Sequence, residues 1–172
     1  MYQGPVIAGR LREAIPSTVT ATPLANGVNA NSLTLTANDI SRTIAHATGL
    51  EAKTIASRIN AVAGATQVSA EARTFAHFYG THASPSGNQV NRRISINGTQ
   101  TAAFTLTASN VSDAVQKINA ISTTTGVQAS ATSDYKILLS DQDGNDIKII
   151  NTSASTDLKI VAIGIDSITA GS

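Results

Sequence analysis

The chain has 172 residues, a formal net charge of +1 and no cysteine, and the lack of cysteine excludes disulfides and thiolate chemistry. Its basic residues stand singly or in pairs such as Arg92-Arg93, and no run approaches the roughly 18 apolar residues that cross a membrane, so neither nucleic acid nor membrane insertion is expected. Apolar residues make up 41% of the sequence and aromatic residues only 3%, which predicts an aliphatic core under a surface of Ser, Thr, Asn and Ala.

The first half of the chain predicts a hairpin followed by helices. Residues 18–24 and 32–36 are expected to be its two strands. Helical spacing is seen first in Ile40, Ile44 and Ala47, which predicts a helical insertion at residues 42–53, and beyond Gly49 in Ile55, Ile59 and Val62. Strands at 67–72 and 74–78 follow, and residues 80–91, rich in Ser, Gly, Pro and Asn, are expected to be a linker loop.

The second half gives clearer signals. Residues 93–96 and 103–107 alternate apolar and polar side chains around Asn97-Gly98, which predicts a tight hairpin. Ser109 or Asn110 can cap a helix with Asp113 in its first turn, and one apolar stripe is formed by Val111, Ala114, Val115, Ile118 and Ile121. Strands are expected at 127–131, 136–140, 147–150 and 158–165, with a polar turn at 141–146.

The two halves repeat one another. Residues 33–41 match 104–112, residues 58–62 match 117–121, and residues 67–70 match 128–131, in the same order. We therefore predict an α+β fold of two tandem units, residues 1–90 and 91–172. Each unit is expected to be a ββα element followed by an antiparallel meander, with its helix packed on a small antiparallel sheet.

Few residues suggest reaction chemistry. The oxygen side chains of residues 141–146 resemble a calcium loop, but Gly144 is the fourth residue rather than the sixth and no Glu follows. A hairpin turn is favoured there, with weak calcium binding as the alternative. The histidines are His46, His77 and His82, and neither their spacing nor the preceding Glu71 indicates a metal or catalytic site. We expect no catalytic, metal-binding or cofactor-binding residue, and no enzyme.

Several short segments of the second half belong together. They are Ile96-Asn97-Gly98, residues 114–120, residues 126–131 and residues 138–149. In these segments the chain resembles the flagellin hook IN motif, a module of the variable, outward-facing regions of flagellins and hook-associated proteins. The resemblance implies an extracellular location on the bacterial flagellum, export by the flagellar type III route, and other flagellar subunits as partners.

Members of that family polymerise through long terminal helices with heptad repeats, and residues 1–16 and 154–172 lack that pattern. We expect the chain to be the outer part of a longer subunit, in which surface properties and antigenic variation are its contribution. The first expectation is a flagellin filament subunit, and the alternative is a hook-filament junction or cap protein. A further alternative is a surface adhesin that contacts host surfaces or glycans, for which Tyr79 and Tyr135 would supply aromatic platforms.

Overall fold

The computed structural model describes residues 16–23, 26–37, 39–81, 91–153 and 157–164. These residues form a mixed α+β fold in which antiparallel sheet predominates, so the expected fold class is confirmed. In chain order the elements are β1 Ser17–Thr18, β2 Asn31–Ala37, β3 Ile40–His46, α1 Ala52–Asn60, α2 Ala63–Thr66, β4 Thr74–Gly80, β5 Ile94–Ile96, β6 Thr99–Gln100, α3 Ser112–Asn119, α4 Ser122–Thr125, β7 Val127–Ala131, β8 Ile137–Asp141, β9 Ile149–Asn151 and β10 Leu158–Ile163.

One core lies between two sheets and a helix. A five-stranded antiparallel sheet has the order β1-β10-β4-β8-β7, and a three-stranded sheet has the order β6-β5-β9. Alternate side chains of the strands point inwards, as the pleat requires, and helix α3 contributes the face predicted from its stripe. Fully buried members of this core include Phe78, Ile94, Ile96, Phe104, Ala114, Ile118, Ile137, Leu139 and Leu158.

The second half of the chain follows its local signals closely. Val111, rather than Ser109 or Asn110, is the N-cap of α3, and no side chain caps it; Asn110 accepts the Ser112 N–H at 2.9 Å in a turn just before the helix. Asn97 and Gly98, at φ 48° and 87°, form the predicted hairpin turn. The second strand of that hairpin is shorter than expected, because within residues 103–107 only Phe104 bridges back across the hairpin, to Arg92, while Thr107 bridges to Asn110. Strands β7 to β10 lie where they were expected, to within two residues.

The first half differs from its prediction. Strand β2 pairs with β3, not with residues 18–24, and the helical insertion predicted at residues 42–53 is wrong because residues 40–46 are a strand. Ile40 and Ile44 are four residues apart, a spacing that puts both on one face of a strand as well as of a helix. The later stripe does form α1, but β4 begins only at Thr74 and residues 67–72 form no strand. Most of the loop expected at residues 80–91 lies outside the described residues.

The expected boundary at residue 90 crosses the five-stranded sheet. Strand β4, from the first predicted unit, pairs with both β8 and β10 from the second. Phe78 of β4 is buried in the same core as Ile137 of β8. The described residues on the two sides of residue 90 therefore share a sheet and a core, since β4 is the central strand with which both β8 and β10 pair. In the described residues of β2 through α2, only Ile44 and Thr66 are buried, so this part adds little to the core.

Candidate functional site

The β5–β6 turn, the end of α4 and the start of β9 meet at one corner of the fold. Ile96 is fully buried, and the side chain of Asn97 donates to the Thr125 carbonyl oxygen at 2.9 Å. The Oδ1 of Asn97 accepts the Lys148 N–H, also at 2.9 Å. This one side chain therefore joins the β5–β6 turn to the end of α4 and to the start of β9.

A second asparagine, Asn119, protects a sheet edge. Asn119 at the end of α3 donates to the Ala129 carbonyl oxygen at 2.9 Å and accepts the Ala129 N–H at 2.8 Å. Nearby, Thr125 Oγ1 accepts the Val127 N–H at 3.2 Å. Strand β7 is the edge of the five-stranded sheet, so these side chains occupy backbone groups that would otherwise be open to another strand.

The first half of the chain contains the same arrangement. Asn60 at the end of α1 makes the two equivalent bonds to Ala70, at 2.9 Å and 2.8 Å, again ten residues away. Thr66 Oγ1 takes the position of Thr125 Oγ1 and accepts the Val68 N–H at 3.4 Å. We call each set a helix-to-edge bracket, after the β7 edge in the second half; in the first half Ala70 lies in an extended segment that forms no strand. The sequence match of residues 67–70 to 128–131 is therefore wrong by two residues, because the hydrogen bonds equate Ala70 with Ala129.

These paired brackets give a first prediction. Asn119→Ala should lower the free energy of unfolding by about 2 kcal/mol, because it leaves both polar groups of the buried Ala129 backbone without partners. Asn60→Ala is the matched control and should lower it by less than about 1 kcal/mol, since its bonds lie at an exposed position. Urea unfolding of both variants measures the difference, and equal losses would contradict this account of the β7 edge.

The polar segment 141–146 connects two sheets. Strand β8 pairs with β4 and β7, and β9 pairs with β5, so the predicted hairpin turn between β8 and β9 is wrong. Asp141 is buried, and its Oδ1 accepts the N–H groups of Asp143 and Asn145 at 3.0 Å and 3.1 Å. The Asp141 carboxylate therefore accepts hydrogen bonds from N–H groups of its own segment. The segment turns around this carboxylate and does not run back beside β8. No group of three or more His, Asp or Glu in the described residues is placed to hold a metal ion.

The two described histidines, His46 and His77, do not converge on a shared carboxylate. His77 lies on the outer face of β4 between Val161 and Leu138 of the flanking strands, whereas Glu71 pairs with Arg73 at 2.8 Å. His46 ends β3, where its Nδ1 is buried without a hydrogen-bond partner among the described residues. His82 lies outside the described residues. The two described histidines therefore occupy separate strands of separate sheets.

His77 gives a pH prediction. Burial, and then the charge of Lys136, lower the pKa of its imidazole below 6.5, against an opposing effect of Asp134. The unfolded chain therefore binds a proton at His77 at a higher pH than the folded chain does. Above about pH 6.5 the imidazole is neutral in both states and does not change the free energy of unfolding. As the pH falls from there towards the folded pKa, protonation of the unfolded state lowers the free energy of unfolding. His77→Gln should flatten that slope in urea unfolding curves between about pH 7.5 and about pH 5.

Lys136→Met is the companion variant and should raise the pKa of His77 in an NMR titration, because it removes a neighbouring positive charge. An unchanged titration curve in that variant would contradict the assignment of Lys136 as a cause.

The two tyrosines offered as a glycan platform have different surroundings. The Lys136 ammonium lies 5.6 Å from the ring centroid of Tyr79, so one face of that ring is already in a cation–π contact. Lys136 also pairs with Asp134 at 2.7 Å, and hydrogen bonds from Lys136 and Thr132 lower the pKa of Asp134 to about 2. Tyr135 is 52% exposed at the β7–β8 turn, with φ 57°.

A cleft of about 330 Å³ opens beside β1 and β10. Its lining is mainly aliphatic and hydroxyl-bearing, and includes Val19, Thr20, Phe75, Ile149, Ile160 and Ala162. Its two charged lining residues are already engaged, because Asp146 accepts from Asn26 Nδ2 at 2.9 Å and Lys148 Nζ lies 3.7 Å from Glu51. The cleft therefore offers a shaped surface but brings together no acid–base pair.

Two comparisons with known proteins found nothing from which a function could be taken. A scan against models of protein families and a search of curated proteins found no match. Within the described part of the chain, no helix has the length and apolar character needed to cross a membrane.

What the site contains is a set of asparagine and threonine brackets that fix backbone positions. Asn60 and Asn119 lie in the matched ranges 58–62 and 117–121, but their sequence positions alone did not predict this role.

Proposed function

We propose that this chain is a structural component of the bacterial flagellum, the surface-exposed variable domain of a flagellin filament subunit. The observation that carries the proposal is the helix-to-edge bracket, which occurs twice and, at Asn119, falls on residues by which the chain resembles the flagellin hook IN motif. These residues hold backbone together and take no part in a reactive cluster. A structural module needs that, whereas an enzyme needs convergent reactive groups.

The brackets also support a tandem origin for the two halves. We infer that residues 52–70 and 111–129 are copies of one unit, a helix, a short helical turn and an extended segment that is a strand only in the second copy, because the hydrogen bonds of Asn60 and Thr66 are repeated by Asn119 and Thr125. Outside the unit the copies diverge, since β3 precedes α1 whereas the short Thr107–Asn110 bridge precedes α3. The additional residues near Arg42 to Lys53 are the ones that carry the end of β3 and the turn after it.

The surface chemistry fits an exterior position on a polymer. Charged residues are only 13% of the sequence, and small polar side chains hydrate a surface without accumulating charge when it is repeated many times along a filament. Location on the flagellum would follow export in an unfolded state by the type III route, with other flagellar subunits as partners. Variation of such a surface, including antigenic variation, would leave assembly through other regions unaffected.

Immunogold electron microscopy tests this assignment. Antibodies raised against the chain, applied to intact cells of the source bacterium, should label the filament along its whole length. Label confined to a ring at the filament base or to the tip would instead indicate the hook-associated or cap alternative. Label on the cell body of a strain without flagella would indicate an adhesin and overturn the flagellar proposal. The matched control is a strain in which the coding sequence of the chain is deleted.

A further inference from the structure

Strand β2 presents an open edge. Among the described residues it pairs only with β3, and it has the sequence Asn-Ser-Leu-Thr-Leu-Thr-Ala. Most of its side chains are exposed, including Leu33 at 36%. It contains no charge, proline or glycine, the residues that natural proteins use to block pairing at sheet edges. Nothing in this strand opposes the addition of another strand.

The hairpin geometry tells which backbone groups face outwards. Ala37 lies opposite Ile40, with two residues of sequence between them, and in an antiparallel hairpin with that spacing the residues flanking the connection form a hydrogen-bonded pair. Alternate residues then point away from β3, so the N–H and C=O groups of Thr34 and Thr36 lie on the free edge. The distance of 3.3 Å between the Oγ1 atoms of Thr34 and Thr43 agrees, because side chains of non-hydrogen-bonded pairs approach closely.

The order of side chains along β2 is nearly the same in both directions about Thr34. Leu33 and Leu35 flank it, and Ser32 and Thr36 follow on either side. An antiparallel second copy with Thr34 opposite Thr34 would put leucine beside leucine on one face and hydroxyl beside hydroxyl on the other. This is the self-complementarity that a two-fold symmetric interface requires.

We propose that β2 is a self-association edge, at which two copies of this chain pair antiparallel about a two-fold axis at Thr34. The resulting sheet has four strands in the order β3-β2-β2-β3. Its hydroxyl face continues the rows already formed by Thr34 with Thr43 and by Thr36 with Ser41, whose oxygens lie 3.3 Å and 3.2 Å apart. The inference depends on β2 alone and holds whether or not the chain belongs to a flagellum.

The dimer is expected to be weak. Two seven-residue strands bury less than the roughly 1,200 Å² typical of stable complexes, and a dissociation constant near 1 mM, about −4 kcal/mol, is the scale of such contacts.

Sedimentation equilibrium of the 172-residue chain tests the proposal at concentrations up to about 1 mM. The mean mass should rise towards twice that of the monomer. Thr34→Lys and Thr34→Asp should each weaken association at least about tenfold, because like charges would lie opposite one another at the axis, while an equal mixture of the two should restore it. Thr43→Lys is the matched control, on the same face but on the neighbouring strand β3 rather than on the β2 edge, and should associate like the unmodified chain.

A crosslink locates the contact directly. The chain has no cysteine, so Thr34→Cys should form a disulfide-linked dimer under mild oxidation, since paired positions bring Cα atoms within disulfide range. Thr43→Cys should not. Far-UV circular dichroism verifies that each variant is folded. A chain that stays monomeric at about 1 mM and crosslinks no faster at residue 34 than at 43 would overturn the proposal. A dimer that survives Thr34→Lys would overturn it as well, because another surface would then be responsible.

Discussion

Arg92→Met is expected to lower the free energy of unfolding by about 3–5 kcal/mol, the range for breaking a buried ion pair by removing one partner. Arg92 and Asp157 are only 5% and 3% exposed. The guanidinium bonds both oxygens of the Asp157 carboxylate, and its Nη1 donates to the Leu106 carbonyl oxygen at 3.0 Å. Methionine would fill much of the same volume but leave the Asp157 charge buried without its cation.

A double-mutant cycle in urea separates charge from packing. Asp157→Leu alone should be destabilising for the converse reason, whereas Arg92→Met with Asp157→Leu should recover most of the loss, because no uncompensated charge remains. Arg73→Met is the surface control: its pair with Glu71 is 42% and 74% exposed, so a loss below about 1 kcal/mol is expected. If the double variant instead loses as much free energy of unfolding as the two single variants together, the ion pair is not the cause of the single losses.

This ion pair also illustrates what the sequence could not reveal. Arg92 belongs to a pair of adjacent arginines, a pattern that is typical of solvent-exposed side chains. Asp157 lies 65 residues further along the chain. Their partnership arises only because β10 pairs with β4, which brings Asp157 beside the Arg92–Phe104 bridge. Contacts between distant segments have no local sequence signature, so burial of both charges was missed.

Local signals, in contrast, predicted much of the second half. The helix stripe and the turn at Asn97-Gly98 each depend on neighbouring residues, and each is present; the predicted cap was wrong, because the helix begins after Val111. The errors arose where a pattern was ambiguous or where pairing was non-local. Ile40 and Ile44 fitted a helix and a strand equally, and the insertion of β4 between β8 and β10 depends on which edges were free.

Gly144→Ala is expected to destabilise the chain by about 3 kcal/mol or more, through overlap added to backbone strain. Gly144 has φ +74°, and an added Cβ would lie 2.4 Å from the Cβ of Ala72 and 2.9 Å from its carbonyl carbon. Gly98 is the matched control, because it also has a positive φ, +87°, yet a Cβ there meets nothing within 4 Å. Gly98→Ala should therefore cost only about 1 kcal/mol, the strain of the left-handed backbone alone.

The clash at Gly144 acts on the junction between the helical part and the sheets, since the Gly144 carbonyl oxygen accepts the Lys53 N–H at 3.0 Å at the start of α1. Displacement of segment 141–146 should therefore speed hydrogen exchange at the Lys53 amide in Gly144→Ala but not in Gly98→Ala. Adding Ala72→Gly to Gly144→Ala should recover part of the stability, because it removes the nearer of the two contacts while the carbonyl carbon remains. Equal losses for the two glycine variants, or no rescue by Ala72→Gly, would mean that this close approach does not hold the helical part against the core.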